Sequence, residues 1–372
     1  MVGASLTDSK IFCTYADMPL PSKRNPQDIA RSLEAWFTDK FEHQCSISDV
    51  GIPTGTGMSS ETILFTLHHD GLDEQMVARI RPSMEDWPVF PVYDLDAQVK
   101  AIQLVASRSA VPVPNIRFVE GSEDLLGDPF FVMDRVAGVA PPDMMPYTFG
   151  GSVLDDFSAT ELRELQRNSV NILAQLHAMS LDGADTTFAA PHSNNPLQRL
   201  LQEQRSYYDW ARNGISYATI EAAFDWLVAN MPTDHGPTVL SWGDARIGNI
   251  LYDRTQPVAV LDWEMVNLAP AGVDVGWMSF MHRFFQNLAV NYGMTGFPDF
   301  MLPADVLADY VSAGGFDVGD LHWYEVYGAT RFAAISIRTS GRQIAYGEAV
   351  QPDNPEDLIM HKDLLVQMIS QE

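Results

Sequence analysis

Short apolar runs bounded by turn residues fill the first third of the chain. Longer stretches, in which apolar positions return every three to four residues, fill most of the remainder. Asn25-Pro26, then Asp28, Ile29, Leu33, Trp36, Phe37 and Phe41, predict an amphipathic helix with Asn25 as N-cap and Pro26 at the first helical position. Extended segments are predicted at 46–51, 62–67 and 75–80, separated by Pro53-Thr54-Gly55-Thr56-Gly57 and His69-Asp70-Gly71. Leu95, Val99, Ile102 and Val105 share one face and predict a helix over about 94–108, which Val111-Pro112-Val113-Pro114 ends. Two more strands are predicted at 116–120 and 130–136.

The character changes after Gly138. Ala140-Pro141-Pro142 opens a Pro- and Met-rich connector that runs to about Gly151. Helical patterns then dominate, at 159–179, 196–212, 217–229, 273–288, 303–313, 320–338 and 355–369, with one β-like island at 249–252 and 258–261. Strands with one embedded helix, followed by helices, predict an α+β protein of two lobes. The expected division is an N-terminal extension (1–25), a small β-rich N-lobe (26–136) and a larger helical C-lobe (137–372), joined near 134–139.

A length of 372 residues suits two lobes better than one core. No run reaches 18 uninterrupted apolar residues, so no membrane span is expected. The N-terminal stretch mixes Asp8, Lys10, Asp17, Lys23 and Arg24 with prolines and lacks the apolar region of a secretory signal, so a cytoplasmic location is the expectation. Cys13 and Cys45 read as reduced thiols. A net charge of −26 opposes binding to nucleic acid or anionic membranes. It could attract a cationic substrate, though solubility or a salty cytoplasm is the simpler reading. The sequence leaves the oligomeric state open.

The chemistry concentrates in the island. Trp242-Gly243-Asp244-Ala245-Arg246-Ile247-Gly248-Asn249 precedes the apolar Val258-Ala259-Val260-Leu261, which runs into Asp262-Trp263-Glu264. Phosphoryl transfer needs a carboxylate near the attacking hydroxyl and oxygen ligands for a magnesium ion that bridges nucleotide phosphates. An Asp and an Asn on one loop, with a second Asp after the next strand, meet that requirement. No G-x-S-x-G elbow supports a serine hydrolase.

This pattern, Gly-Asp-x-x-x-x-Asn-Ile-Leu followed by Val-Leu-Asp-Trp-Glu, resembles the aminoglycoside phosphotransferase-like family of the protein-kinase-like superfamily. Its wording is similar to a bacterial subgroup and to the kinase domains fused to some acyl-CoA dehydrogenases, which act on hydroxyacyl-CoA. The resemblance covers roughly residues 45–290. It implies ATP and Mg2+ as cofactors, Asp244 as the catalytic carboxylate, and Asn249 and Asp262 as metal ligands. Arg246 is placed to meet the γ-phosphate, or else to form a structural ion pair. Glu264 is a further metal or water ligand or a structural group, and Asp274 a support tying the next helix to the loop. The family usually carries His where this chain has Trp242.

The nucleotide half is implied on the same footing. Gly55, Gly57, Ser59 and Ser60 can offer donors to phosphate oxygens, although two glycines between strands also suit a hairpin. Arg79, in Met76-Val77-Ala78-Arg79-Ile80, stands in the usual lysine position, with Gln98 nearest to the usual glutamate and Asp94 or Asp96 as alternative partners. Adenine is expected to bond backbone groups from Asp134 to Val136. His177 reads as structural, and Trp277, Met278, Phe280, Met281, Phe284 and Phe285 as core.

The leading expectation is transfer of the ATP γ-phosphate to a small-molecule hydroxyl. An aminoglycoside-like acceptor is favoured by acidity. A hydroxyacyl-CoA is favoured by the subgroup wording, with Arg199, Arg205 and Arg212 as a candidate basic patch. The rival is a nucleotide-binding pseudokinase or scaffold, suggested by Trp242, Arg79 and Gln98.

Overall fold

A computed structural model describes residues 24–53, 61–84, 87–189 and 193–371. The expected phosphate-binding residues Gly55, Gly57, Ser59 and Ser60 lie outside the described residues, as does Cys13.

The N-lobe is a five-stranded antiparallel sheet with one helix packed on it and a second at its edge. Helix α1 (Pro26–Phe41) starts as expected: the Asn25 side chain accepts from the Gln27 amide, and Pro26 sits in the first turn. Its buried face of Ile29, Leu33 and Phe37 packs on Phe65, Leu67, Met76 and Phe130 of the sheet. The sheet runs in the order β1 (Ser46–Gly51), β2 (Glu61–His69), β3 (Leu72–Ile80), β5 (Phe130–Asp134), β4 (Ile116–Glu120). Register pairs Thr62 with Arg79 and Arg79 with Phe131, so Arg79 lies on a central strand. Helix α2 (Leu95–Arg108) is capped by Asp94, whose carboxylate accepts from the Ala97 amide.

The strand expected to reach Val136 stops at Asp134, because the chain then turns into the connection between lobes. That connection is tight. Val139 and Tyr252 exchange two backbone hydrogen bonds of 3.0 Å. A Cβ on Gly138 would come within 2.9 Å of both Leu251 and Val258, so only glycine lets the backbone pass.

The C-lobe packs α3 (Ala159–His177), α4 (Pro196–Ala211), α5 (Ala218–Ala229), α6 (Gly272–Asn291), α7 (Pro303–Ser312), α8 (Leu321–Ala345) and α9 (Lys362–Ile369) around a large core. Helix α6 is buried on nearly all sides, and its aromatic and Met-rich stretch from Trp277 to Phe285 is core, as expected. Two small antiparallel ribbons carry the loop chemistry. These are β6 (Thr238–Ser241) with β9 (Asn267–Pro270), and β7 (Ile250–Asp253) with β8 (Gln256–Val260).

Three expectations need correction. The β6–β9 ribbon was not foreseen, since four-residue strands carry too short a pattern. Helix α8 continues past residue 338 to Ala345. The helix expected over 355–369 is two pieces, a 3-10 turn (Pro355–Leu358) and α9. The break comes where the His361 ring inserts beside Phe280, Phe284 and Phe332 and bonds the Ala329 carbonyl at 2.9 Å.

Burial lowers the pKa of His361 and of His282 from 6.5 to about 4. The unfolded chain therefore binds more protons than the folded one between those limits, and stability falls as pH drops from 6.5 towards 4. Each histidine should cost roughly 2 kcal/mol at pH 5 relative to neutral pH. Thermal melts of His361→Gln should show a shallower loss of Tm between pH 7 and 5 than the parent; an identical slope refutes the assignment.

Candidate active site

The loop between β6 and β7 is held from beneath by one carboxylate. Asp274, in the first turn of α6, accepts from Ser241 Oγ (2.8 Å), the Trp242 amide (2.8 Å), the Gly243 amide (2.9 Å) and His177 Nε2 (3.0 Å). Both Asp274 and His177 side chains are fully buried. Burial alone would raise the Asp274 pKa, but the bonds from His177, Gly243 and Ser241 hold it below the ordinary value. His177 Nδ1 meets the Tyr310 hydroxyl at 2.8 Å. Gly243 sits at φ +90°, and a Cβ there would overlap the Met265 carbonyl.

Asp244 follows immediately and is buried. Its Oδ1 accepts from Trp277 Nε1 (2.9 Å) and Arg246 Nε (3.0 Å), and its Oδ2 from Asn249 Nδ2 (2.7 Å). Asn249 also donates to the Asp244 carbonyl at 3.1 Å, which commits its NH2 group inward. The amide oxygen is the remaining group with capacity for a cation. Arg246 bridges Asp244 and Asp143. Burial pushes the Asp143 carboxyl up to about 6, even against the opposing Arg246 charge. Burial also disfavours the charged form of Arg246, but Asp143, Asp244 and Asp262 together raise its pKa.

Asp143 was missed by sequence reasoning. It stands alone in the Pro- and Met-rich connector, and its one signal is the glycine opposite: a Cβ on Gly248 would strike its carboxylate.

The β7–β8 ribbon delivers Asp262 to the same place, with φ +60°, in the left-handed region. The Leu261 amide bonds the Asn249 carbonyl at 2.9 Å, tying the two expected metal ligands through one backbone link. Trp242, where the family carries His, donates its Nε1 to the carbonyls of Leu261 (2.8 Å) and Asp262 (3.2 Å). The indole thus orients the second loop.

From the N-lobe, Arg79 reaches Asp262 Oδ1 at 2.5 Å and Glu264 Oε2 at 3.4 Å. Burial would lower its pKa, and the two carboxylates raise it. Its carboxylate partners therefore come from the C-lobe, not from α2. Asp94 is spent as the α2 cap, Asp96 pairs with Lys100 at 2.6 Å, and Gln98 lines the same cleft without standing as the ionic partner.

A cleft of about 810 Å³ lies between the lobes. Val77, Phe131 and Met133 face it from the sheet, and Leu251 and Val260 from the ribbon; Arg79, Gln98, Asp134, Val136, Arg246, Asn249 and Asp262 line it too. The Asp134 carboxylate is turned away to Arg117 (2.9 Å) and Asn115 (3.1 Å). The expected basic patch does not form: Arg199 pairs with Glu203, Arg205 with Glu221 and Arg212 with Asp209.

A small antiparallel sheet over a mainly helical lobe, with an Asp/Asn/Asp constellation at the seam, defines a kinase-like phosphotransferase fold. The phosphotransferase enzyme family model matches residues 53–310, and the chain belongs to that family. A candidate aminoglycoside phosphotransferase from Ralstonia eutropha JMP134 superposes with a TM-score of 0.66 at 21% identity, covering 91% of this chain and 96% of that one. A ternary complex of a thermostable aminoglycoside phosphotransferase APH(4)-Ia with ADP and hygromycin B gives 0.58 at 15% identity, covering 92% and 100%. Among curated proteins, the probable acyl-CoA dehydrogenase IBR3 of Arabidopsis thaliana is 21% identical over 77% of this chain. Acyl-CoA dehydrogenase family member 10 of Mus musculus is 23% identical over 55%. The chain spans 35% and 18% of those two relatives' lengths. Among the described residues, no helix is long and apolar enough to cross a membrane.

Replacing Trp242 by Phe keeps the ring packing but strands two inward-facing carbonyls. We expect a loss of roughly 1–2 kcal/mol in denaturant unfolding; an unchanged midpoint contradicts the tether.

Proposed function

We propose that the protein transfers the γ-phosphoryl group of ATP, with Mg2+, to a hydroxyl of a small molecule. The observation that carries this reading is the convergence of Asp244, Asn249 and Asp262. The Asn249 amide touches the Asp244 carboxylate at 2.7 Å, and its carbonyl binds the residue before Asp262.

The donor set fits a hard cation: the Asn249 amide oxygen and the Asp262 carboxylate are both oxygen ligands, as magnesium requires. Asn249 and Asp262 would hold the ion, whose positive charge would offset that of the nucleotide phosphates. Asp244 accepts the proton of the acceptor hydroxyl as its oxygen forms a bond to the γ-phosphorus. The bond from that phosphorus to the β,γ-bridging oxygen breaks, and ADP leaves with the electron pair. Trp277 and Arg246 fix the Asp244 carboxylate in position. Arg246 also supplies positive charge beside the transferring group.

Arg79 pairs with Asp262 across the seam, and its fork matches two phosphate oxygens. Exchange of the Asp262 pair for phosphate contacts keeps both charges satisfied. Gly55, Gly57, Ser59 and Ser60 would cover the phosphates, and adenine would lie between Val77, Met133 and Leu251 against the backbone of Asp134 to Val136. Gln98 lines the phosphate end as a neutral donor. The ADP bound to the APH(4)-Ia neighbour supports a nucleotide in this cleft. Trp242 now has a positioning task, which weakens the scaffold reading that its presence first suggested.

Asp244→Ala should lower ATP-dependent turnover by about 10²-fold or more while leaving a folded protein. Turnover unchanged in that variant would sink the assignment. Asp262→Ala should weaken nucleotide binding in the presence of magnesium, read by isothermal titration. Equal affinity with and without the substitution would remove Asp262 from the metal site.

A further inference from the structure

A second pocket, of about 270 Å³, opens beside the catalytic loop. It is lined by Ser241 and Gly243, which precede Asp244, and by Glu264, which follows Asp262. Arg331 of α8 closes it, donating to the Gly243 carbonyl at 3.0 Å while its guanidinium lies 4.7 Å from the centre of the Trp277 ring. Trp277 in turn donates to Asp244. The pocket and the carboxylate are thus parts of one connected cluster.

We propose that this pocket receives the acceptor, and that it is built for a small alcohol with an apolar body, uncharged or singly anionic, and not for a polyamine. The proposal rests on the phosphotransfer reading of the neighbouring cleft.

Four observations support it. Much of the wall is Phe90, Tyr207, Val266, Tyr327 and Ile335, so transfer from water favours an apolar body. Glu203 and Glu264 are its lining carboxylates among the described residues, and both are engaged. Glu203 takes Arg199 at 2.6 Å and Asn267 at 3.3 Å, and Glu264 takes Arg79 at 3.4 Å. Despite the net charge of −26, each lining carboxylate is thus paired with an arginine, which weakens its pull on an ammonium group. Gln204 is only 7% exposed, yet its Nε2 has no hydrogen-bond partner among the described residues. A buried donor left open costs free energy, and an oxygen on the acceptor would recover it. Finally, the volume of about 270 Å³ suits a small alcohol, near the lower end of the range of about 300–1,000 Å³ that ligand pockets span. The pairing of Arg199, Arg205 and Arg212 leaves no open cationic cluster among them for a polyphosphate tail.

The test is ATP–Mg2+ turnover by the full chain with hexane-1,2-diol, 3-hydroxyhexanoate and 3-phenylpropan-1-ol against kanamycin and hygromycin B. At least one of the three alcohols should exceed both aminoglycosides in kcat/KM by 100-fold or more. Gln204→Leu should raise KM for that alcohol about tenfold with kcat held within twofold, a split that a folding defect would not produce. Gln204→Glu, which adds an uncommitted carboxylate, should shift the preference toward the amines by tenfold or more. Preference for an aminoglycoside in the parent, or transfer to none of the three alcohols while Asp244-dependent ATP hydrolysis persists, overturns the pocket assignment alone. Absence of ATP–Mg2+ binding, or turnover indifferent to Asp244→Ala, overturns the phosphotransfer reading instead.

Discussion

A charged carboxylate with no access to water is expensive unless every lone pair is occupied, and Asp274 is held on those terms. Two backbone amides, one hydroxyl and one imidazole converge on it from β6, the following loop and α3. The loop backbone at Trp242 and Gly243 has no regular strand or helix of its own to satisfy it. Asp274 supplies the acceptors that a β-ladder would otherwise provide. Because α6 is embedded in the core along most of its length, the loop inherits the rigidity of the C-lobe. The direction of the Asp244 side chain results from that anchorage.

The second organising feature is charge balance across the seam. Asp143, Asp244, Asp262 and Glu264 gather there, opposed by Arg79 and Arg246. Each arginine takes two carboxylates. Removing either cation would leave buried negative charges facing one another at low effective dielectric, where repulsion is strong. Arg79 is the only one of the six on the N-lobe sheet, so its pair with Asp262 also fixes how the lobes meet. Gly138, passing close to Leu251 and Val258, holds the same seam by shape.

Local spacing made the Asp244, Asn249 and Asp262 set legible, because the whole constellation falls within 19 positions and one ribbon. The α1 and α2 caps were legible for the same reason: Asn25-Pro26 and Asp94 signal through their immediate neighbours. What depended on distant contacts was not. The partner of Arg79 lies 183 residues away and that of Arg246 lies 103 residues back. Nothing adjacent to Asp143 distinguishes it from any exposed acid in a connector. The 355–369 pattern looked continuous because Leu358, Leu364, Leu365 and Met368 are all buried; the interruption comes from a ring that fits a gap in α8's surroundings. Overall acidity does not specify the acceptor, since a sum over 372 positions does not describe one pocket.

Trp242 and Trp263 both adjoin Asp262, one bonded to its carbonyl and the other its neighbour in sequence. Both indoles are shielded from solvent, with ring centres 6.1 Å apart. Any rearrangement of the second loop shifts the local field on two coupled chromophores. Two of the chain's eight tryptophans thus sit at the seam, and their share of the ultraviolet emission follows the second loop without a label.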